Sequence, residues 1–461
     1  MSPRELLTEA FRAGIEAVRA EALLPPHLPP PVRGRNIVIA AGKAAADMAA
    51  CLEAHWPLAA SLEGLALTRH GHGTPTLRIE VVEAGHPLPD AAGLKAAERV
   101  LALVRSAEPE DQVIALLSGG GSSLLSLPVS SPSAPGGGVG EREPGLITAH
   151  AGSGAVPSPP APLPEGEGSE KLADLRAVAG ALLASGAPIA DINCVRKHLS
   201  ATLGGRLAAA CKAPVTALLL SDVTGDDPAV IASGPFSPDA TTHADALAVL
   251  ARWNVAAPEA VTRHLRRGVA SEVAETAKPG DPCFERVTTR VIGNGHTLLE
   301  GAAIFLAQAG IRPIILGDTY SGEAREVARV FAALAREIRQ HNSPWVPPLV
   351  LLSGGETSVT IKGRGRGGRN TEFLLALALA LDGLEGVHAL AADSDGLDGT
   401  EDNAGALITP DTLARATGLG VDARARLANN DAYGFFAALD DLLVTGPTRT
   451  NVNDFRAILI L

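Results

Sequence analysis

Two stretches of this chain share one construction. "IALLSGGGSSLLSLP" starts at Ile114 and "VLLSGGETSVTIKG" at Val350. Each is an apolar run that meets Ser-Gly-Gly and then small or hydroxyl residues. A strand ending in glycines leaves backbone N–H groups open and lets a ligand come close, which suits a phosphate or a carboxylate. A tight turn without a ligand is the plain alternative for either copy. Two copies in different halves of the chain weigh against it. Ser118, Gly119, Gly120, Gly121 and Ser122 form the first candidate anion site, and Ser353, Gly354, Gly355 and Glu356 the second.

Lys43 stands in "AAGKAA", where an apolar strand turns into a helix. A P-loop fails here, because Ile37 occupies its first glycine position and Ala44 its hydroxyl position. A lysine at the carboxyl end of a strand still lies where parallel α/β sheets bind ligands. A cation is unfavourable at a helix start, which hints at an anionic partner; a solvated lysine in the first turn is the alternative. "SDVTGDDP" brings Asp222, Asp226 and Asp227 just past the strand "VTALLL". Carboxylates there can act as a general base or bind Mg2+; an Asp/Gly turn is the alternative. "INCVRKHLS" supplies Arg196, Lys197 and His198, of which at most two share a helix face.

"KGRGRGGRNTEF" fits G-x-G-x-x-G at Gly363, Gly365 and Gly368, between a strand and a helix. A dinucleotide site would want an acid about 20 residues on, and the nearest, Glu385, falls in a loop. Arg364, Arg366 and Arg369 crowd the loop and suit phosphates directly. Asn370 or Thr371 can cap the following helix. "AADSDGLDGTEDNAG" holds Asp393, Asp395, Asp398, Glu401 and Asp402. It is no EF-hand, since Leu397 and Ala404 occupy ligand positions, but acids at a strand end fit Mg2+ with retained waters. "VTGPTRTNVNDF" is a hydroxyl- and Asn-rich loop, with a capping role as the bland reading. Glycine corners, basic residues, metal-binding acids and one aspartate for a hydroxyl nucleophile make up the parts of phosphoryl transfer.

Short apolar segments alternate with helical patterns along the chain, which predicts α/β architecture with parallel strands. The 461 residues exceed the ~250–300 that one core usually reaches, so two domains are expected. The boundaries read as a Rossmann-like domain over 1–240, connecting helices over 241–285 and a second α/β domain over 286–461. Residues 128–170 hold nine Pro and nine Gly, and read as a low-complexity insertion in the first domain. At the other end, Ser2, Pro3 and Glu5 form a helix start with a capping box. A net charge of −12 argues against a general nucleic-acid binder. No apolar run reaches the ~18–20 residues of a membrane span. The four cysteines show no metal spacing and suit a reducing, cytoplasmic setting.

Seven ordered motifs, "AGKAA", "LLSGGGSSLL", "INCVRKHLSATLGGRLA", "LLLSDVTGDDPAVIASGP", "LLSGGETSVTIKGRGRGGRNTEF", "AADSDGLDG" and "TRTNVNDFR", resemble the class II glycerate 2-kinases. These end in a segment called the MOFRL domain. The resemblance implies two α/β domains with an active site in the cleft between them, and ATP-dependent phosphorylation of D-glycerate with Mg2+. Small molecules are then the partners, with no nucleic acid or membrane, for a monomer or a homodimer. Lys43, Asp222 or Asp226, and Arg369 fall on the family's catalytic positions. Ser118–Ser122, Arg196 and Lys197 would hold substrate or phosphate. Ser353–Glu356, Arg366 and Asn370 would face ATP, and Asp393 and Asp395 the metal. Some relatives carry the name hydroxypyruvate reductase. That alternative needs NAD(P) on Gly363–Gly368 and a proton donor such as His198.

Overall fold

The structure, a computed structural model, describes residues 1–129 and 165–461. The insertion expected over 128–170 falls almost wholly outside the described residues. Two six-stranded sheets carry the fold. The first holds β1 (Asn36–Ala41), β2 (Glu63–Arg69), β3 (Ile79–Ala84), β4 (Gln112–Leu117), β5 (Val215–Leu220) and β6 (Val287–Gly293). Its order is β3-β2-β1-β4-β5-β6 and every pairing is parallel, the doubly wound arrangement. Strands β1 and β4 are buried along their whole length. That is why "NIVIAA" and "QVIALL" read as apolar runs with little alternation: helices cover both faces of a parallel sheet. Within β1, Ile37, Ile39 and Ala41 face one core while Val38 and Ala40 face the other.

Strand β6 begins inside the segment assigned from sequence to the C-terminal domain, yet it pairs with β5 and completes the first sheet. The turn-rich "AKPGDPCF" marks a change of composition, and composition does not reveal which strand a later segment will join. The second sheet holds β7 (Arg312–Glu323), β8 (Leu349–Ser358), β9 (Val387–Asp393), β10 (Gly405–Ile408), β11 (Leu442–Leu443) and β12 (Asp454–Ile460). It is mixed rather than parallel, because β12 inserts antiparallel between β8 and β9. Among the described residues of this sheet, only β7 and β8 pair in parallel.

The two sheets share a core. Helix Pro3–Ala17 starts at the predicted capping box, with Glu5 N donating to Ser2 Oγ at 3.3 Å. Its Leu7 and Phe11 join Val38 of β1 and Phe455 of β12 in one buried cluster. The rings of Phe11 and Phe455 lie 5.4 Å apart. Helices Ile189–Leu199, His243–Arg252 and Glu259–Val269 build a separate, smaller core around Val195, Leu250 and Leu265. Replacing the fully buried Phe455 by Ala should cost about 3–5 kcal/mol. Urea denaturation measures this; an unchanged midpoint would show that the shared core adds no stability.

Candidate active site

The carboxyl ends of the first sheet's strands gather the chemistry. Ala41 stands level with Leu67 and Leu117 on the flanking strands. Two residues further on, Lys43 N donates to Gly119 O at 2.8 Å, and Ala44 N donates to Ser118 Oγ at 3.1 Å. The lysine turn and the first glycine corner are thus stitched together. Asp222, just past β5, lies directly on this corner: a Cβ at Gly119 would sit 1.8 Å from Asp222 Oδ2. Asn451 Nδ2 donates to Asp222 Oδ2 at 2.7 Å, and Asn453 Nδ2 donates to Asp222 O at 2.6 Å. Burial pushes the Asp222 carboxyl up to about 6, although Lys43 and Asn451 pull the other way.

The second sheet supplies the opposing wall. Lys43 Nζ donates to Asp395 Oδ2 at 2.6 Å across the cleft. Burial opposes the lysine's charge, but Asp395, Asp393 and Asp222 outweigh it and raise its pKa. Burial also raises Asp393, with Asp395 adding to the rise, whereas Lys43 overcomes burial and keeps Asp395 low. Arg369 donates through Nε to Asp454 at 2.7 Å, and through Nη1 to Glu356 and Nη2 to Asp393, both at 2.8 Å. Asp454 stands opposite Asp393 in the β9–β12 pairing, and its second oxygen takes the buried Arg456 at 2.5 Å. Asp222, Glu356, Asp393, Asp395 and Asp454 therefore meet Lys43, Arg369 and Arg456. The surplus of carboxylate and the all-oxygen donors fit one hard divalent cation, which would share Asp393 and Asp395 with Arg369 and Lys43.

Residues 349–454 match the MOFRL family, and residues 6–133 and 158–266 match a domain of unknown function, DUF4147. A D-glycerate 2-kinase of Thermotoga maritima is 37% identical over 100% of this chain and 99% of that protein. The crystal structure of a glycerate kinase from the same organism superposes with a TM-score of 0.80 at 36% identity, covering 99% of both chains. The chain belongs to the glycerate 2-kinase family. An Agrobacterium vitis protein that carries a provisional hydroxypyruvate reductase name is 45% identical over 100% of this chain and 95% of that protein.

Several residues expected at a family site have partners elsewhere in the protein. Ser118 has no exposed surface, and its hydroxyl accepts from Ala44 N in the lysine turn. The second Ser-Gly-Gly is no strand-to-turn corner. Strand β8 runs on through it to Ser358, because β7 keeps pairing with Gly355 and Glu356. Ser353 is buried within that strand. Asn370 is fully buried and steadies Asp454 through a 2.8 Å hydrogen bond. Lys197 is buried against Asp239 at 3.3 Å. Its neighbour Arg196 projects about 100° away on the same helix and stays partly exposed. Asp226 accepts from Asn294 Nδ2 at 2.6 Å, which leaves Asp222 as the aspartate on the glycine corner. Arg366 is exposed, stacks 4.5 Å over the Tyr433 ring and pairs with Glu401.

The Gly363–Gly368 loop has a packing reason for its glycines. A Cβ at Gly363 would lie 2.2 Å from Asn429 O, and one at Gly365 2.3 Å from Asp431 Cβ. Sequence reasoning missed Asp454 and the Asn451 and Asn453 that hold Asp222. Asp454 and Arg456 alternate in the otherwise apolar "DFRAILI", and that pair of charges in a buried strand was the available signal. Lys43→Met leaves the 3%-exposed Asp395 unpaired, which should cost about 3–5 kcal/mol. Adding Asp395→Asn should recover much of that loss in thermal melts. Identical melts for wild type and Lys43→Met would mean that the pair is absent in solution.

Proposed function

We propose that this protein is a glycerate 2-kinase, transferring the γ-phosphoryl group of ATP to the 2-hydroxyl of D-glycerate. The products are 2-phosphoglycerate and ADP. One observation carries the reading. Asp222 and Lys43 lie on the first glycine corner and face the Arg369 acid cluster across the Lys43–Asp395 contact. A full-length relative named D-glycerate 2-kinase supports it.

In this reading Asp222 accepts the 2-hydroxyl proton as the glycerate oxygen bonds to phosphorus and the bond to ADP breaks. Lys43 and Arg369 neutralise charge developing on the phosphoryl oxygens. Backbone N–H groups of Gly119–Ser122, with Arg196, hold the glycerate end. Gly354, Gly355, Glu356 and Arg366 face the ATP end. Bound Mg2+ would be held by Asp393 and Asp395 and would neutralise triphosphate charge. The four free cysteines suit a cytoplasmic enzyme. No helix among the described residues is long and apolar enough to cross a membrane.

The reductase reading rests on a relative's name. Its glycine fingerprint packs on the protein itself. Its proton donor, His198, is fully buried, with Nδ1 2.8 Å from Cys194 O and Nε2 3.1 Å from Glu275. NADH oxidation with hydroxypyruvate would restore that reading.

A coupled ADP-release assay with D-glycerate tests the kinase. Asp222→Asn and Lys43→Ala should each lower kcat by roughly 10²-fold or more. A base must be ionised, so kcat should fall with acidification below about pH 6, where Asp222 gains its proton. A rate that stays flat well below that pH defeats the role of Asp222.

A further inference from the structure

The first wall carries more positive charge than phosphoryl transfer uses. Arg69 ends β2, two residues past the Leu67 that stands level with Ala41 at the end of β1. Both Arg69 and Arg196 are partly buried, and neither guanidinium makes a hydrogen bond or ion pair with any described residue. Arg196 is brought to the corner by its helix. Ser233 Oγ links Asn193, at 3.0 Å, to Ser122 of the glycine corner, at 2.8 Å. Arg196 lies three residues on and flanks Asn193 on one side. Lys197 flanks it on the other and is taken up by Asp239.

His86 completes the group. It follows β3, whose Ala84 stands level with Arg69. Its ring rests on the corner: a Cβ at Gly120, where φ is +85°, would lie 3.0 Å from His86 Nε2 and 3.4 Å from Lys43 Cγ. The His86 ring makes no hydrogen bond to a described residue either. Burial, reinforced by Lys43, Arg69 and Arg196, lowers its pKa to about 3. At physiological pH it is therefore a neutral imidazole with one N–H to donate.

We propose that Arg69, Arg196 and His86 form the carboxylate-recognition site of the acceptor, selecting a small hydroxy acid over an uncharged polyol. A planar guanidinium matches a carboxylate in two-point contact, and a half-buried guanidinium without a counter-ion gains most from an anion. The imidazole adds a directed hydrogen bond. Asp222, on the adjacent Gly119, would then meet the hydroxyl next to that carboxylate. The proposal rests on the kinase reading and narrows its glycerate end to named side chains.

The test uses Arg69→Met, Arg196→Met and His86→Gln in the full chain. Each variant should raise KM for D-glycerate roughly ten- to hundredfold and leave KM for ATP unchanged. Arg196→Lys should recover part of the loss. An unchanged KM for glycerate, or a rise in KM for ATP instead, overturns the site. Binding without ATP separates this proposal from the kinase reading. D-glycerate should raise the melting temperature of wild type, glycerol should not, and the shift should vanish in Arg196→Met. If wild type turns over no glycerate, the kinase reading falls alone. The carboxylate site then stands or falls on whether D-glycerate and D-lactate, but not glycerol, shift the melt in an Arg196-dependent way.

Discussion

The buried ion pair between Lys43 and Asp395 is the point on which the two walls of the cleft depend. A desolvated pair adds little net stability, because attraction roughly repays the cost of leaving water. Its value is positional. Any displacement of one sheet against the other would strand a buried charge, so the alignment is held tightly. The pair also begins a longer series, running through Asp395, Asp393, Arg369 and Asp454 to Arg456. Each member is held by the next. In a low-dielectric interior such a network orders its members together.

The placement of that network follows from sheet geometry. Parallel strands end at the same edge, so the ends of β1, β2, β3 and β4 and the turns after them collect Lys43, Arg69, His86 and the glycine corner at one place. Asp222 arrives from β5 at the same edge. The second sheet reaches the site differently. There Asp393 ends β9 while Asp454 begins the antiparallel β12, and opposite strand directions bring a strand end and a strand start together. The Asn-rich approach to β12 then crosses back to hold Asp222.

The walls differ in charge. Around the first corner, Arg69, Arg196 and Lys43 surround a neutral His86. Around the second, carboxylates outnumber the arginines that tie them. The cleft thus sets a mainly cationic corner against a carboxylate-rich one. The neutral His86 also lets the positive side hold its charge at physiological pH, because burial and the neighbouring cations keep that ring unprotonated.

Much of the site was legible in the sequence. Lys43, Asp222, Asp393 and Asp395, all expected at the site, stand at or just past strand ends that apolar runs make visible, and Arg369 opens the helix after the glycine loop. The buried parallel strands of the first sheet were legible for the same reason. What sequence left open turned on partners distant along the chain. Two similar Ser-Gly-Gly segments became a turn and a strand interior because only the second has β7 to pair with. Neighbouring Arg196 and Lys197 parted because Asp239 waits on one side of their helix and not on the other. Asn370, expected to face ATP, lies buried and donates to Asp454. Residue type and order determined which chemistry the chain carries. Burial, pairing and counter-charge are properties of the assembled interior, and they decided which residues remain free to use it.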